Sequence, residues 1–296
     1  MTHRPELDLR GVLPPITTPF DADGGLDIEG LERNLERYEA SDLAGYLVFG
    51  SNGEAVHLDP GERATVLETV RRRTSKLVVA GVNALSTRDA VGQARQAAEL
   101  GADAALVVTP YFYKGGMTHD VLRDFYLEVA DAAPLPVLIY NVPQNTGVVI
   151  HPATIAELSR HDRIVGVKDS SGHFGALADT VRSSSDDFRV FAGNAAVFYP
   201  ALAIGAAGAV LAVACIRPDE CVALYEAVRR GDHDRARDLQ QRLAPLGDLV
   251  TRDLGIPGLK AALDALGFVG GPPRGPLRPL AGADRRRLLA GLQTED

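Results

Sequence analysis

Cysteine and lysine are both scarce in this chain. Two cysteines, Cys215 and Cys221, are too few and too close together for a disulfide framework, so a reduced, cytoplasmic setting is expected. Positive charge is in deficit as well: 31 basic residues against 39 acidic ones leave a net charge of −8. That balance counts against nucleic acid or an anionic membrane as the main partner. Residues 1–10 carry charges and no apolar core, so they do not read as a signal peptide. No Gly-x-Gly-x-x-Gly follows any apolar run, which leaves a dinucleotide-binding fold without support. One charge-free stretch, 195–216, is long enough to cross a membrane. Pro200 and the turn Gly205-Ala206-Ala207-Gly208 interrupt it, so it is expected to be a buried helix, a tight turn and a buried strand.

What the chain does have is a repeated pattern. Short runs rich in Val, Ile and Leu occupy residues 12–20, 45–50, 77–82, 104–110, 137–143, 164–170, 188–194 and 209–214. They are nearly continuous in apolar character, as strands buried on both faces should be. Amphipathic segments such as 29–39 and 60–74 lie between them, the second opened by Asp59 as cap and Pro60 in the first turn. Eight strand–helix units favour an α/β fold of the closed (β/α)8 TIM-barrel type over an open sheet. The expected division is a catalytic barrel over 1–218, then the last barrel helix and a small helical cap over 219–296. Helices in that second part are expected at 219–230, 232–243, 256–266 and 283–292.

Only four of the 31 basic residues are lysine: Lys76, Lys114, Lys168 and Lys260. Where a plain positive charge serves, this sequence uses arginine. Lys76, Lys114 and Lys260 read as solvated surface charges. Lys168 is different, because it ends the run Ile164-Val165-Gly166-Val167-Lys168 inside an expected strand. Period-two alternation places Ile164, Gly166, Lys168 and Ser170 on one face, and Val165 and Val167 toward the helices. Lys168 then points into the barrel near its C-terminal mouth, where barrel enzymes keep their chemistry. An ammonium there is costly unless it is paired or sheds its proton, and lysine can do the latter where arginine cannot. Position alone leaves two readings: an amine nucleophile that forms imines, or one half of a structural ion pair.

Two companions end at the same side of the barrel. Tyr140, in Tyr140-Asn141-Val142-Pro143, shares the inner face of its strand, and a phenol beside an amine can shuttle protons. Gly50-Ser51-Asn52-Gly53-Glu54 follows another strand, and such a turn offers N–H, hydroxyl and amide donors to a carboxylate. Taken singly, a packed tyrosine and an ordinary βα turn explain each; the coincidence of all three at one mouth carries the inference.

These segments, together with Val108-Thr109-Pro110-Tyr111 and Gly166-Val167-Lys168-Asp169-Ser170, resemble the dihydrodipicolinate synthase/N-acetylneuraminate lyase family of class I, pyruvate-dependent aldolases. The likeness covers nearly the whole chain. It implies an imine on Lys168, Tyr140 as proton relay, and the pyruvate carboxylate at Ser51 and Asn52, with Ser170 a further substrate contact. No metal and no separate cofactor are implied, and a homo-oligomer, a tetramer or a dimer, is. Within the family the chain is most similar to the 4-hydroxy-2-oxoglutarate aldolases, which release pyruvate and glyoxylate. The points of likeness are Ser51-Asn52, Asn145-Thr146-Gly147, Gly172, Gly255-Ile256-Pro257-Gly258-Leu259-Lys260 and Gly270-Gly271-Pro272.

The alternative is 4-hydroxy-tetrahydrodipicolinate (dihydrodipicolinate) synthase, which joins pyruvate to aspartate semialdehyde. Such synthases place an arginine at the position of Asn145, and a neutral amide cannot form the bidentate pair that arginine makes with a carboxylate. Phe112 is a second departure, standing where the family commonly has a tyrosine that reaches a neighbouring subunit's site. Tyr111 or Tyr113 takes its place, or the relay passes through water and Ser51. Two rivals lie outside this chemistry: a metal-dependent aldolase, disfavoured by the scattered histidines, and a non-catalytic barrel that senses a 2-oxo acid.

Overall fold

Eight parallel strands follow one another around a barrel in the computed structural model, which describes residues 7–293. Residues 1–6 of the charged N-terminal segment lie outside the described part. The strands are β1 (Gly11–Val12), β2 (Gly45–Val48), β3 (Leu77–Val82), β4 (Ala104–Val108), β5 (Val137–Asn141), β6 (Ile164–Asp169), β7 (Arg189–Ala192) and β8 (Gly208–Ala209). From β2 onward each pairs with the next, and β8 returns to β1. Closure between β1 and β2 runs through a bridge at Pro15 and Leu47, in which the Leu47 N–H donates to the Pro14 carbonyl and the Leu47 carbonyl accepts from the Ile16 N–H, each at 3.0 Å. This is the (β/α)8 barrel that the strand–helix repetition predicts.

The first run is a strand over two residues only, much less than 12–20. Pro14, Pro15 and Pro19 remove the N–H donors that a longer ladder needs. The charge-free stretch 195–216 divides into a helix at Phe198–Ala203, a turn at Gly205, and β8; Pro200 does not interrupt it but sits in the first turn of that helix, where its missing N–H costs nothing. Among the described residues no helix is long and apolar enough to cross a membrane.

Apolar side chains form two layers. Leu13, Leu47, Val79, Leu106, Leu138 and Phe191 fill the barrel interior, while a larger set joins the outer faces of the strands to the helices. Helix starts follow local chemistry: Asp59 and Glu62 exchange side-chain and backbone bonds at the start of the helix Pro60–Arg73, a capping box.

One alternation differs from expectation. Between Val137 and Leu138 the register with β6 slips, so Val137 faces Ile164 but Leu138 faces Gly166. Val165 is the extra residue of this irregularity and joins the interior layer, while Ile164 packs among the helices. Period two resumes in time for Val167 to face the helices and for Lys168 to point inward.

Beyond β8 come the helices Pro218–Arg229, His233–Asp248, Gly255–Ala265 and Gly282–Gln293. A π-helical turn, Leu249–Asp253, precedes the third of these and brings Val250, Thr251 and Arg252 to the barrel mouth.

Candidate active site

Register places the central pair. Tyr140 of β5 lies directly opposite Lys168 of β6, so both side chains emerge at one level of the barrel wall. Both residues are buried, and Lys168 Nζ lies 3.5 Å from the Tyr140 hydroxyl and 4.5 Å from the ring centroid. Among the described residues no carboxylate lies within ion-pair distance of Lys168. Its neighbour Asp169 is occupied elsewhere, accepting from Asn141 Nδ2 at 2.8 Å and from the Ser171 N–H at 2.9 Å. The ion-pair reading of Lys168 therefore has no partner to rest on.

Ser51 extends the chain of polar groups. Its Oγ lies 3.5 Å from the Tyr140 hydroxyl and accepts from Asn145 Nδ2 at 3.0 Å. Ser51, Asn52, Tyr140, Asn145, Lys168 and Ser170 all line one cavity of about 550 Å³. Ser170 directly follows β6 and lies against Gly193 at the end of β7, where a Cβ would stand 2.1 Å from the Ser170 hydroxyl. The structure thus joins Lys168, Tyr140 and Ser51 by side-chain contacts, and brings Asn52 and Ser170 to the same cavity without contact to the lysine. Lys168 and Arg252 are the cationic side chains of its lining, and Arg252 is held at the rim by Asp248 and Asp253.

The turn carrying Ser51 and Asn52 is built under strain. Phe49 and Glu54, on either side of it, have positive φ of 61° and 51°, a region that bulky residues rarely enter. Gly81 makes the Phe49 conformation possible, since a Cβ there would stand 2.2 Å from the Phe49 carbonyl oxygen. That oxygen accepts from Asn83 Nδ2 at 2.9 Å, and the Arg63 guanidinium lies over the Phe49 ring.

Glu54 is held more firmly still. One carboxylate oxygen is 2.6 Å from Lys260 Nζ, with the two side chains 0% and 1% exposed. The other accepts from His57 Nδ1 at 3.1 Å and from the Arg274 N–H at 2.9 Å. Lys260 also donates to the Pro272 carbonyl at 2.9 Å and sits over the Phe20 ring. Burial pushes the Lys260 ammonium below the usual lysine range, with the Glu54 carboxylate pulling the other way. Lys260 is therefore not the solvated surface charge that its place on a late helix suggests. It is the buried ion pair first weighed for Lys168. The signal that could have found it is the one that singled out Lys168, a lysine in a chain that otherwise uses arginine.

The late glycines serve the same clamp. A Cβ at Gly270 would stand 2.0 Å from the Lys260 carbonyl oxygen, and one at Gly271 would stand 2.4 Å from the Phe20 carbonyl oxygen. The motif segments 255–260 and 270–272 lie outside the cavity's polar centre, yet they hold the turn that carries Ser51.

Phe112 and Tyr113 point into solvent in the single chain, 69% and 77% exposed, and Tyr111 is half-buried. None of the three lines the cavity. Among the described residues no group of three or more His, Cys, Asp or Glu side chains is arranged to hold a metal ion.

This arrangement agrees with what the chain is similar to. The model of the dihydrodipicolinate synthetase family matches residues 8–295. A 4-hydroxy-tetrahydrodipicolinate synthase of Methanothrix thermoacetophila is 36% identical over 280 residues, covering 94% of each chain. An uncharacterised DapA-like lyase of Halobacterium salinarum is 38% identical, over 98% of this chain and 97% of the relative. The crystal structure of a chloride-inhibited dihydrodipicolinate synthase from Acinetobacter baumannii, complexed with pyruvate, superposes with a TM-score of 0.92 at 30% identity, over 96% of this chain and 98% of that one. The relatives' names favour the synthase expectation over the 4-hydroxy-2-oxoglutarate aldolase one. The chain belongs to the dihydrodipicolinate synthetase family, whose members are pyruvate-dependent carbon–carbon lyases of the class I aldolase type.

Proposed function

We propose that the protein binds pyruvate as an imine on Lys168 and makes or breaks a bond between pyruvate C3 and a short aldehyde that carries a carboxylate. The single observation that carries this reading is the buried Lys168, without a carboxylate partner among the described residues, 3.5 Å from the Tyr140 hydroxyl. The neutral amine attacks the C2 ketone, and Tyr140 passes protons until water leaves. The protonated imine then withdraws electrons from C3, so the enamine of pyruvate becomes accessible. The Ser51 and Asn52 N–H groups and the Asn52 amide hold the C1 carboxylate, with Ser170 beside them. No metal or separate cofactor enters this sequence. An oligomer completes it, and the exposed Phe112–Tyr113 pair supports one.

For the aldehyde, the relatives' names support aspartate semialdehyde, and hence a 4-hydroxy-tetrahydrodipicolinate synthase. In that reaction the enamine attacks the aldehyde carbon. One observation favours a second reading: Asn145 lines the cavity where such synthases carry an arginine. Under this reading the substrate is 4-hydroxy-2-oxoglutarate. Loss of its 4-hydroxyl proton breaks C3–C4 and releases glyoxylate, leaving the same enamine on Lys168.

Treatment with pyruvate and sodium borohydride should place one reduced pyruvate on Lys168, read by peptide mass. No adduct, or an adduct on Lys76, Lys114 or Lys260, would refute the imine. Condensation of pyruvate with aspartate semialdehyde, measured beside cleavage of 4-hydroxy-2-oxoglutarate, decides between the two aldehydes by the larger kcat/KM.

A further inference from the structure

We propose that Asn145 is a positioning residue for proton transfer at the Lys168 imine, its amide setting the direction in which the Ser51 hydroxyl donates. The inference rests on the imine reading and adds to it a residue that the chemistry so far has not used.

Asn145 lies in a short helix, Pro143–Thr146, whose place is fixed from several sides. The Asn145 N–H donates to the Val142 carbonyl at 3.0 Å, and Thr146 Oγ1 donates to the same carbonyl at 3.1 Å. Gln144 Nε2 donates to the Ser170 carbonyl at 3.1 Å, which ties the helix to the end of β6. From this anchored backbone the Asn145 amide reaches across the cavity rim to Ser51 Oγ at 3.0 Å.

An amide nitrogen can only donate, so Ser51 Oγ must accept in this bond. The single hydroxyl proton of Ser51 is then free to be given onward, and the Tyr140 oxygen at 3.5 Å lies on its path. Lys168 Nζ donates to the Tyr140 oxygen at 3.5 Å in the free chain; once that nitrogen is bonded to C2, Tyr140, accepting from Ser51, is free to give its own proton to the reacting centre. Either hydroxyl can donate across the Ser51–Tyr140 contact, and the Asn145 bond, by occupying one Ser51 lone pair, favours the sense amide to serine, serine to tyrosine, tyrosine to the reacting centre. Both 3.5 Å separations are long for hydrogen bonds, as catalytic contacts often are before substrate binds.

That sense is what imine formation requires. The Lys168 lone pair forms the C2–N bond while the carbonyl electron pair moves to oxygen. Proton transfer from nitrogen to that oxygen gives the carbinolamine. Its hydroxyl then takes a proton from Tyr140 and leaves as water, and the nitrogen lone pair closes the protonated imine. Tyr140 recovers its proton from Ser51, and Ser51 from solvent, so one solvent proton is consumed and one water released. Asn145 passes no proton. It keeps Ser51 from turning its hydroxyl away from Tyr140.

The test is rapid-quench borohydride trapping with saturating pyruvate, reading the rate at which the Lys168 adduct appears. Asn145→Ala should slow that rate about ten- to a hundredfold while leaving the final adduct yield and the affinity for pyruvate near those of the native chain. Asn145→Asp is the sharper variant, because an ionised carboxylate can only accept and would draw the Ser51 proton to itself. Its rate should fall at least as far at pH 7 and recover as the pH is lowered and the carboxyl becomes a donor. A merely structural role would not produce that recovery. If the native chain forms no Lys168 adduct, the imine reading itself fails. If it does, and Asn145→Asp forms the adduct at the native rate across the pH range, this inference alone is overturned.

Discussion

Replacing Lys260 by methionine tests whether the clamp behind the Ser51 turn has the strength its geometry indicates. The perturbation removes a cation 2.6 Å from a carboxylate that is itself 0% exposed. Breaking such a pair from one side leaves an unpaired buried charge, at a cost of about 3–5 kcal/mol. Glu54 keeps its bonds from His57 Nδ1 and the Arg274 N–H in the variant, which places the expected loss at the lower end of that range. The second variant, Glu54→Gln with Lys260→Met, removes both charges and keeps an amide able to accept from Arg274. Much of the loss should then return, giving a favourable coupling of about 1–3 kcal/mol in the double-mutant cycle. Urea unfolding followed by circular dichroism supplies the four free energies. The same proteins, trapped with pyruvate, should show slower adduct formation for Lys260→Met even where it remains folded, because Glu54 ends the turn that carries Ser51. A loss below about 1 kcal/mol for Lys260→Met, or losses that simply add in the double variant, would refute the assignment of this pair as a buried, mutually dependent unit.

Two further outcomes follow from other contacts. Gly81→Ala forces a Cβ to within 2.2 Å of the Phe49 carbonyl oxygen, so it should cost about 1–3 kcal/mol and displace the Ser51 turn; unfolding and pyruvate trapping that both match the native chain would contradict the strain described there. Glu32 is held down to about 2 by its bonds from Arg73 and then Arg72, so its stabilising contribution is present above the ordinary glutamate value of 4.5 and is lost as the pH falls toward 2; Glu32→Gln should therefore lose less stability than the native chain across that window, and parallel pH profiles would show that the contact contributes nothing in solution.

What the sequence made legible depended on whether a residue's environment was written next to it. Continuous apolar runs and their spacing are local, so the barrel and its mouth could be read directly. Tyr140 and Lys168 could be put at the same mouth because both lie toward the C-terminal ends of such strands, but that they face each other across β5 and β6 depends on the slip upstream of them. The slip at Val165 was not readable, since it depends on how β6 meets β5 and not on β6 itself. The same limit hid the meaning of Lys260. Its partner Glu54 is some two hundred positions away, and nothing in the helix around Lys260 announces a carboxylate. One global statistic did point to it, the rarity of lysine among 31 basic residues. Two of the four lysines are in fact deeply buried, and they have divided the possible fates of a buried amine between them. Lys260 keeps a carboxylate and becomes structural; Lys168 has a phenol in place of a carboxylate and is left available for chemistry. The two are connected, because the carboxylate that holds Lys260 belongs to the turn whose serine faces Tyr140. A change at Lys260 should therefore reach Lys168 through Glu54, Ser51 and Tyr140 in that order, whereas a change at Asn145 enters the same path at Ser51 and leaves the clamp intact.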